Sequence, residues 1–94
     1  MRESVIELHL HRQVVAAGGI TRKWVSPGRR GVPDRIVIWP GKKGARVHFV
    51  ETKAPGRTAR PSQIREHNRL MLLGCMVLVL DTKEKVNTYV ENEK

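Results

Sequence analysis

The pattern of apolar and polar residues is clearest in the middle of the chain, where two short apolar segments flank a turn. Residues 35–39 read Arg-Ile-Val-Ile-Trp, residues 46–50 read Arg-Val-His-Phe-Val, and the connection between them contains Pro-Gly-Lys-Lys-Gly. β-Branched and aromatic residues on both sides of a short glycine-containing connection are typical of a β-hairpin. The sequence therefore predicts two antiparallel strands in this region.

The position of the turn also predicts the register of the hairpin. With the fold-back centred between residues 42 and 43, Ile38 lies opposite Val47 and Ile36 lies opposite Phe49. Because opposed residues share one face of a sheet, these four apolar side chains lie together, and we expect their face to form the core. The other face is more mixed and carries Arg35, Val37, Trp39, Arg46, His48 and Val50.

Three charged residues cluster at one end of the predicted apolar face. The same register places Asp34 opposite Glu51, and Lys53 follows on the same side because side chains alternate along a strand. Two adjacent carboxylates can hold Mg²⁺, which prefers oxygen ligands, and the backbone carbonyl of Thr52 can add another oxygen. The alternative is structural, with Lys53 compensating the two acids as a plain ion pair. A second acid-x-Lys triplet, at residues 81–83, has no predicted acidic partner and is the weaker candidate.

The rest of the chain predicts a single α/β domain over residues 1–94. A helical pattern runs from Glu3 to Ala17, a strand from Ile20 to Val25, a second helix from Pro61 and Ser62 to Gly74, and a buried strand over Met76–Leu80. With the hairpin, the order is α-β-β-β-α-β, which predicts one mixed central sheet flanked by helices. Residues 81–94 are polar and are expected to form a short helix or a frayed tail anchored by Val86, Tyr89 and Val90.

The composition adds a strong positive charge to this picture. Eighteen Lys and Arg against nine Asp and Glu give a formal net charge of +9, which suits a phosphate-rich partner but identifies no chemistry. The longest apolar run is far shorter than the roughly 20 residues that cross a membrane, and acids interrupt the N-terminus where a signal peptide is apolar. The single cysteine cannot form an internal disulfide. We therefore expect a cytoplasmic protein that has no membrane partner.

Basic and hydroxyl side chains near the turns are candidate contacts to DNA. The loop at residues 26–31, Ser-Pro-Gly-Arg-Arg-Gly, has glycines that let a phosphate approach the backbone and arginines that can bind phosphate oxygens; solvated loop charge is the alternative. The candidate set is Lys23, Ser26, Arg29, Arg30, Arg57 and Arg60. Trp24 and Trp39 could stack on bases, but the favoured interpretation is that both side chains lie in the core. No zinc or triphosphate-binding pattern occurs, so no nucleotide cofactor is expected.

Three parts of the chain together resemble one known family. Residues 26–34 (Ser-Pro-Gly-Arg-Arg-Gly-Val-Pro-Asp), residues 50–55 (Val-Glu-Thr-Lys-Ala-Pro) and Gln63 look like the VRR-NUC branch (virus-type replication-repair nuclease) of the PD-(D/E)xK nucleases. The resemblance implies a restriction-endonuclease-like fold and metal-dependent cleavage of DNA, with Mg²⁺ as cofactor and Mn²⁺ as a substitute. For small, typically viral members it implies homodimers that act on branched or four-way junction DNA in replication, recombination or repair.

The resemblance also implies the roles of individual residues. By position, Asp34 and Glu51 are metal ligands, Lys53 is the catalytic lysine and Gln63 supports the site from the start of its helix. An acid on the first helix completes the metal ligands, and Glu7 matches best, with Glu3 one turn earlier as the fallback. From the sequence pattern alone, these two acids are interpreted as charges that stabilise the N-terminal end of a helix. The family resemblance changes this interpretation to that of a metal ligand.

Functions of other classes stay open at this point. A basic module that binds DNA or RNA without catalysis has the same net charge, and a subunit that acts only in a larger assembly fits the small predicted core. Titration with Mg²⁺ distinguishes the nuclease from the silent module, and sedimentation tests for the larger assembly.

Overall fold

The predicted hairpin lies at the centre of a four-stranded mixed sheet. The computed structural model describes residues 1–94, and its elements are α1 (Glu3–Ala16), β1 (Ile20–Lys23), β2 (Arg35–Trp39), β3 (Arg46–Thr52), α2 (Pro61–Leu72), β4 (Met76–Leu80) and α3 (Lys83–Glu93). The strand order is β1-β2-β3-β4. The first three strands are antiparallel neighbours, whereas β4 runs parallel to β3 after the crossover through α2. The predicted α/β class and order of elements are confirmed, and the polar C-terminal segment forms a regular third helix.

The register of the hairpin is the predicted one. Ile36 pairs with Phe49, and Ile38 pairs with Val47. Strand β3 continues beyond the predicted apolar run because residues 51 and 52 pair with β4. This extension makes the acidic end of the hairpin part of the sheet and fixes the direction in which its side chains point.

The core lies on the face that the sequence pattern did not favour. Val37, Trp39 and Val50 are at most 1% exposed and pack in one cluster with apolar residues of α1 and α3; we call their side of the sheet the packed face. The opposite side, which we call the open face, carries Ile36, Ile38, Val47 and Phe49. On the open face Val47 is 44% exposed, so the expectation that these four residues form the core is wrong. The reason is that α1 and α3 both cover the packed face, whereas the open face receives α2 and the Trp24 ring, 5.0 Å from Phe49.

Helix α3 satisfies the polar groups of the packed face. The Tyr89 hydroxyl accepts a hydrogen bond from Trp39 Nε1 at 3.0 Å and lies 2.7 Å from His48 Nδ1. Val86 and Val90 flank this network in the core, as the sequence predicted for the anchors of the C-terminal segment. A sheet face with a histidine and a tryptophan is therefore buried with Trp39 Nε1 and His48 Nδ1 both paired.

The three helices flank the sheet on both sides, with α1 and α3 on the packed face and α2 on the open face. None of them is both long enough and apolar enough to span a lipid bilayer.

Candidate metal centre

Three carboxylates converge at one end of the sheet. Glu3 in the first turn of α1, Asp34 just before β2 and Glu51 in β3 each bring an oxygen within 4.8 Å of the other two. Asp34 and Glu51 therefore meet, as the hairpin register predicted. Carboxylates this close repel one another when ionised, so a cation or protons must offset their charge.

Thr52 holds the Asp34 carboxylate in place. Its backbone N–H and its hydroxyl both donate to Asp34 Oδ2 at 3.0 Å. Thr52 is fully buried, so the donor groups of both hydrogen bonds are shielded from water, whereas Asp34 is partly exposed. The sequence suggested only a carbonyl ligand at this position and missed the role of the side chain, which engages one Asp34 oxygen and leaves the other for a ligand.

Glu51 is a buried carboxyl with a perturbed pKa. Burial and the neighbouring Asp34 charge raise the pKa of Glu51 to about 8, against the opposing effect of Lys53. Gln63 Nε2 donates to Glu51 Oε2 at 3.1 Å, and the side-chain Oε1 of Gln63 accepts from the Arg60 backbone N–H at 2.8 Å. The first turn of α2 thus fixes the amide that supports Glu51, which places Gln63 where the sequence predicted it.

Lys53 completes the predicted cluster. Its side chain is buried and its Nζ lies 3.6 Å from Glu51 Oε2. Its backbone N–H donates to the Leu80 carbonyl at 3.0 Å, which ties it to the end of β4. A plain ion pair would show the same contact. One ammonium cannot neutralise three ionised carboxylates, so a proton on Glu51 or a further cation must offset the remaining charge.

Glu7, the expected ligand on the first helix, points elsewhere. Its Oε2 accepts a hydrogen bond from Arg35 Nε at 2.7 Å and lies 3.4 Å from Lys23 Nζ. Lys23 and Arg35 pair across β1 and β2, so two adjacent cations hold the Glu7 carboxylate. The expectation for Glu7 is therefore corrected, because Glu3 joins the strand carboxylates instead. The ammonium of Lys23, which was predicted to contact DNA, is therefore already paired with Glu7.

A histidine that the sequence did not assign to the site also faces Glu51. His67 follows Gln63 by one turn of α2, and its Nε2 lies 3.9 Å from Glu51 Oε1. These two atoms are buried and have no hydrogen-bond partner. Burial and the Lys53 charge lower the pKa of the His67 imidazole. The spacing of four residues from Gln63 was the sequence signal that could have identified it.

A basic cleft opens beside the carboxylates. It has a volume of about 530 Å³ and is lined by Glu3, Lys53, Ala54, Gly56, Arg57, Thr58 and Arg60. Arg57 and Arg60 are exposed, and both were predicted to contact DNA. The cleft therefore joins two of the predicted phosphate contacts to Glu3 and Lys53.

The loop at residues 26–31 lies against the start of α2. Gly31 has a φ of +86°, and a Cβ there would lie 2.4 Å from the Ser62 carbonyl oxygen, so this approach requires glycine. Arg29 Nη1 lies 3.9 Å from the buried Glu66 carboxylate, whereas Arg30 is exposed. The loop is thus fixed on the helix that carries Gln63, and it leaves arginine side chains at the surface.

The donor set fits a hard divalent cation. Carboxylate oxygens are the ligands that Mg²⁺ and Mn²⁺ prefer, and both ions commonly keep bound waters. Glu51 Oε1 has no hydrogen-bond partner, while Glu3 is exposed and keeps one side of the cluster open to solvent. The residues present can therefore hold such an ion and leave room for a substrate oxygen.

Known proteins are similar to this chain in sequence and in fold. A protein of Acyrthosiphon pisum secondary endosymbiont phage 1, named "Putative nuclease p44", is 54% identical over 84 residues, which cover 89% of this chain and 87% of the relative. A solved structure described as "VRR_NUC domain" is similar with a TM-score of 0.86 and 31% sequence identity, over 98% of this chain and 97% of that one. No protein-family model matches the chain. On the strength of these two relatives, the chain belongs to the VRR-NUC family of nucleases.

Proposed function

We propose that this protein is a metal-dependent endonuclease that hydrolyses phosphodiester bonds in DNA. The observation that carries the proposal is the convergence of Glu3, Asp34 and Glu51 within 4.8 Å of one another, with the Lys53 ammonium 3.6 Å from Glu51. Membership of a nuclease family supports it, as does the net charge of +9. The phage origin of the 54% identical relative supports a site of action in the host cytoplasm.

Glu3, Asp34 and Glu51 would hold Mg²⁺, or Mn²⁺ in its place, and the Thr52 carbonyl is a further candidate donor. Such a cation would polarise the phosphoryl group and would lower the pKa of a coordinated water. Thr52 orients Asp34 through two hydrogen bonds, and Gln63 orients Glu51 through one. These contacts hold the ligands in position before the cation arrives, so less ordering is needed when it binds.

Lys53 acts on the charge that develops during hydrolysis. The attack of water on a phosphodiester builds negative charge on the phosphoryl and leaving oxygens, and a fixed ammonium in a buried position stabilises that charge. The same ammonium can orient the attacking water. The position of Lys53 between the carboxylates and the basic cleft fits both roles.

The DNA backbone is proposed to follow the basic cleft. Arg57 and Arg60 on its rim would contact phosphates beside the scissile bond. Ser26, Arg29 and Arg30 would contact the strand on the side of the loop at residues 26–31. Lys23 is the weakest member of the set, because its ammonium already pairs with Glu7.

A homodimer that acts on branched DNA is part of this proposal. The open face extends to Ile20 and Val79, which are 41% and 40% exposed, so apolar surface continues across the sheet. A second copy on the open face would form a twofold dimer with two sites for paired cuts.

Cleavage assays on linear, flapped and four-way DNA test the proposal. We expect cutting with Mg²⁺ or Mn²⁺, none with EDTA, and the fastest cutting of branched substrates. Lys53→Ala should slow cleavage on the order of 10²- to 10³-fold, and Asp34→Asn should abolish it while DNA binding remains. The matched control is Lys83→Ala in the second acid-x-Lys triplet, which should cut like the wild type. Tight DNA binding without cleavage at any metal concentration would instead identify a catalytically silent module.

A further inference from the structure

We propose that His67 is a positioning residue for Glu51, and that in the metal-bound protein its Nε2–H donates a hydrogen bond to Glu51 Oε1. The inference rests on the proposed metal site and extends it to a side chain on α2. In this role the imidazole contacts neither the cation nor the DNA. It holds the ligand that binds the cation.

Helix α2 places a nitrogen donor near each of the two oxygens of the Glu51 carboxylate. Gln63 Nε2 donates to Glu51 Oε2 at 3.1 Å, and His67 Nε2 lies 3.9 Å from Glu51 Oε1. Residues four apart share a helix face, so both nitrogens point at the sheet from adjacent turns. One hydrogen bond leaves the carboxylate free to rotate about its last bond, whereas two donors fix its plane.

The second observation is that both atoms of the longer contact lack any other partner. Glu51 Oε1 and His67 Nε2 are the buried side-chain polar atoms without a hydrogen bond, and their residues are 1% and 4% exposed. A buried donor and acceptor that face each other are stabilised together when the gap closes. A carboxylate oxygen is a strong acceptor for an imidazole N–H, so a hydrogen bond across this gap is favourable.

A direct ligand role for His67 fits less well. The three carboxylates bring oxygens within 4.8 Å of one another, and the His67 nitrogen is not part of that group. Mg²⁺ also prefers oxygen to imidazole nitrogen. Side chains that hydrogen-bond a metal ligand typically change metal affinity 10- to 100-fold when they are removed, so the role predicts a measurable effect.

The first test compares Mn²⁺ affinity of the DNA-free protein by titration calorimetry. His67→Leu removes the donor and should weaken binding about 10- to 100-fold. His67→Gln restores an N–H at a similar distance from the helix and should recover most of the loss. Asn68→Leu, an exposed neighbour on the same helix, is the matched control and should bind like the wild type. Circular dichroism confirms that each variant is folded.

The second test reads the tautomer of His67 by nitrogen-15 NMR with and without Mg²⁺, and it needs no variant. We expect Nε2 to carry the proton in both states, with a shift of its signal when Mg²⁺ binds. Loss of that proton on addition of Mg²⁺ would indicate direct ligation and overturn the inference. Wild-type affinity in His67→Leu, or equal weakness of the Gln and Leu variants, would also overturn it. If the wild type itself binds no Mn²⁺, the proposed function fails and the inference fails with it.

Discussion

Among individual residues, Glu51 couples metal binding to pH. Its pKa is raised to about 8 by burial and by the Asp34 charge, so at pH 7 the carboxyl holds a proton that a cation must displace. We expect the apparent Mn²⁺ affinity to rise about tenfold per pH unit between pH 6 and 8 and then to level off. Titration calorimetry in buffers of different ionisation enthalpy should show about one proton released per Mn²⁺ at pH 6.5. Release of no proton would contradict this coupling.

The same carboxyl sets a pH dependence of stability in the presence of a chelator. Because the folded pKa of about 8 lies above the ordinary value of 4.5, the folded protein binds this proton more tightly than the unfolded chain. The resulting stabilisation is complete below pH 4.5 and is lost as the pH rises towards 8. His48 and His67, whose pKa values are lowered by burial, act in the opposite direction below their ordinary pKa of 6.5. The comparison of wild type with Glu51→Gln isolates the glutamate, and equal slopes would refute its role.

Gly31 and Gly28 form a matched pair for testing how the loop seats α2. Both have positive φ, at +86° and +78°, but a Cβ at Gly31 would lie 2.4 Å from the Ser62 carbonyl oxygen, whereas at Gly28 nothing lies within 4 Å. Gly28→Ala should cost about 1 kcal/mol for the backbone conformation alone. Gly31→Ala should cost about 1–3 kcal/mol more and should weaken Mn²⁺ binding, because Gln63 follows Ser62. Urea denaturation measures both, and equal losses would show that the contact with α2 is unimportant.

The sequence could predict Asp34, Glu51 and Lys53 because local rules decide their positions. The turn fixes the register, and the register brings the three side chains together. Local rules could not decide between Glu3 and Glu7. Both lie on one helix face, and which one reaches the site depends on how α1 docks and on the pairing of Glu7 with Arg35, neither of which a single sequence displays.

At the scale of elements, the hairpin illustrates which information the apolar pattern lacks. Its strands and register follow the pattern, but the pattern placed the core on the wrong face. Trp39 and His48 made the packed face look mixed, and the pattern could not show that Tyr89, some forty residues later, would satisfy their polar atoms. Burial of a face depends on the element that covers it, and α3 was the element that the sequence described least well.

The docking of α3 can be tested through the Tyr89 hydroxyl. Tyr89→Phe keeps the ring in the core but leaves Trp39 Nε1 and His48 Nδ1 without their partner. Each buried group left unsatisfied costs about 1–3 kcal/mol, so for the two groups we expect a loss of about 2–6 kcal/mol in the free energy of unfolding. Mn²⁺ affinity should be unchanged, because α3 lies on the face away from α2. Thr88→Ala, at an exposed neighbouring position, is the control, and an unaltered stability of Tyr89→Phe would show that water replaces the hydroxyl.

For the whole molecule, net charge and apolar surface have opposite effects on dimerisation. A net charge of +9 on a small domain attracts DNA and repels a second copy of the same chain. Dimerisation therefore needs an apolar surface large enough to outweigh that repulsion, and the open face offers exposed apolar side chains such as Val47. The balance implies that high salt should strengthen the dimer while it weakens DNA binding.

The open face predicts which substitution dissociates the dimer. Val47 lies on it at 44% exposure, and Val15 lies at 50% exposure on α1, which covers the other side of the sheet. Val47→Lys would put a charged side chain into the proposed apolar interface and should give a single species at the 10.7 kDa mass of the chain, whereas the wild type and Val15→Lys should sediment at twice that mass. Because the metal ligands come from one chain, Val47→Lys should bind Mn²⁺ like the wild type but lose paired cuts in four-way DNA. Dissociation by Val15→Lys alone would place the interface on α1, and a monomeric wild type would refute the dimer.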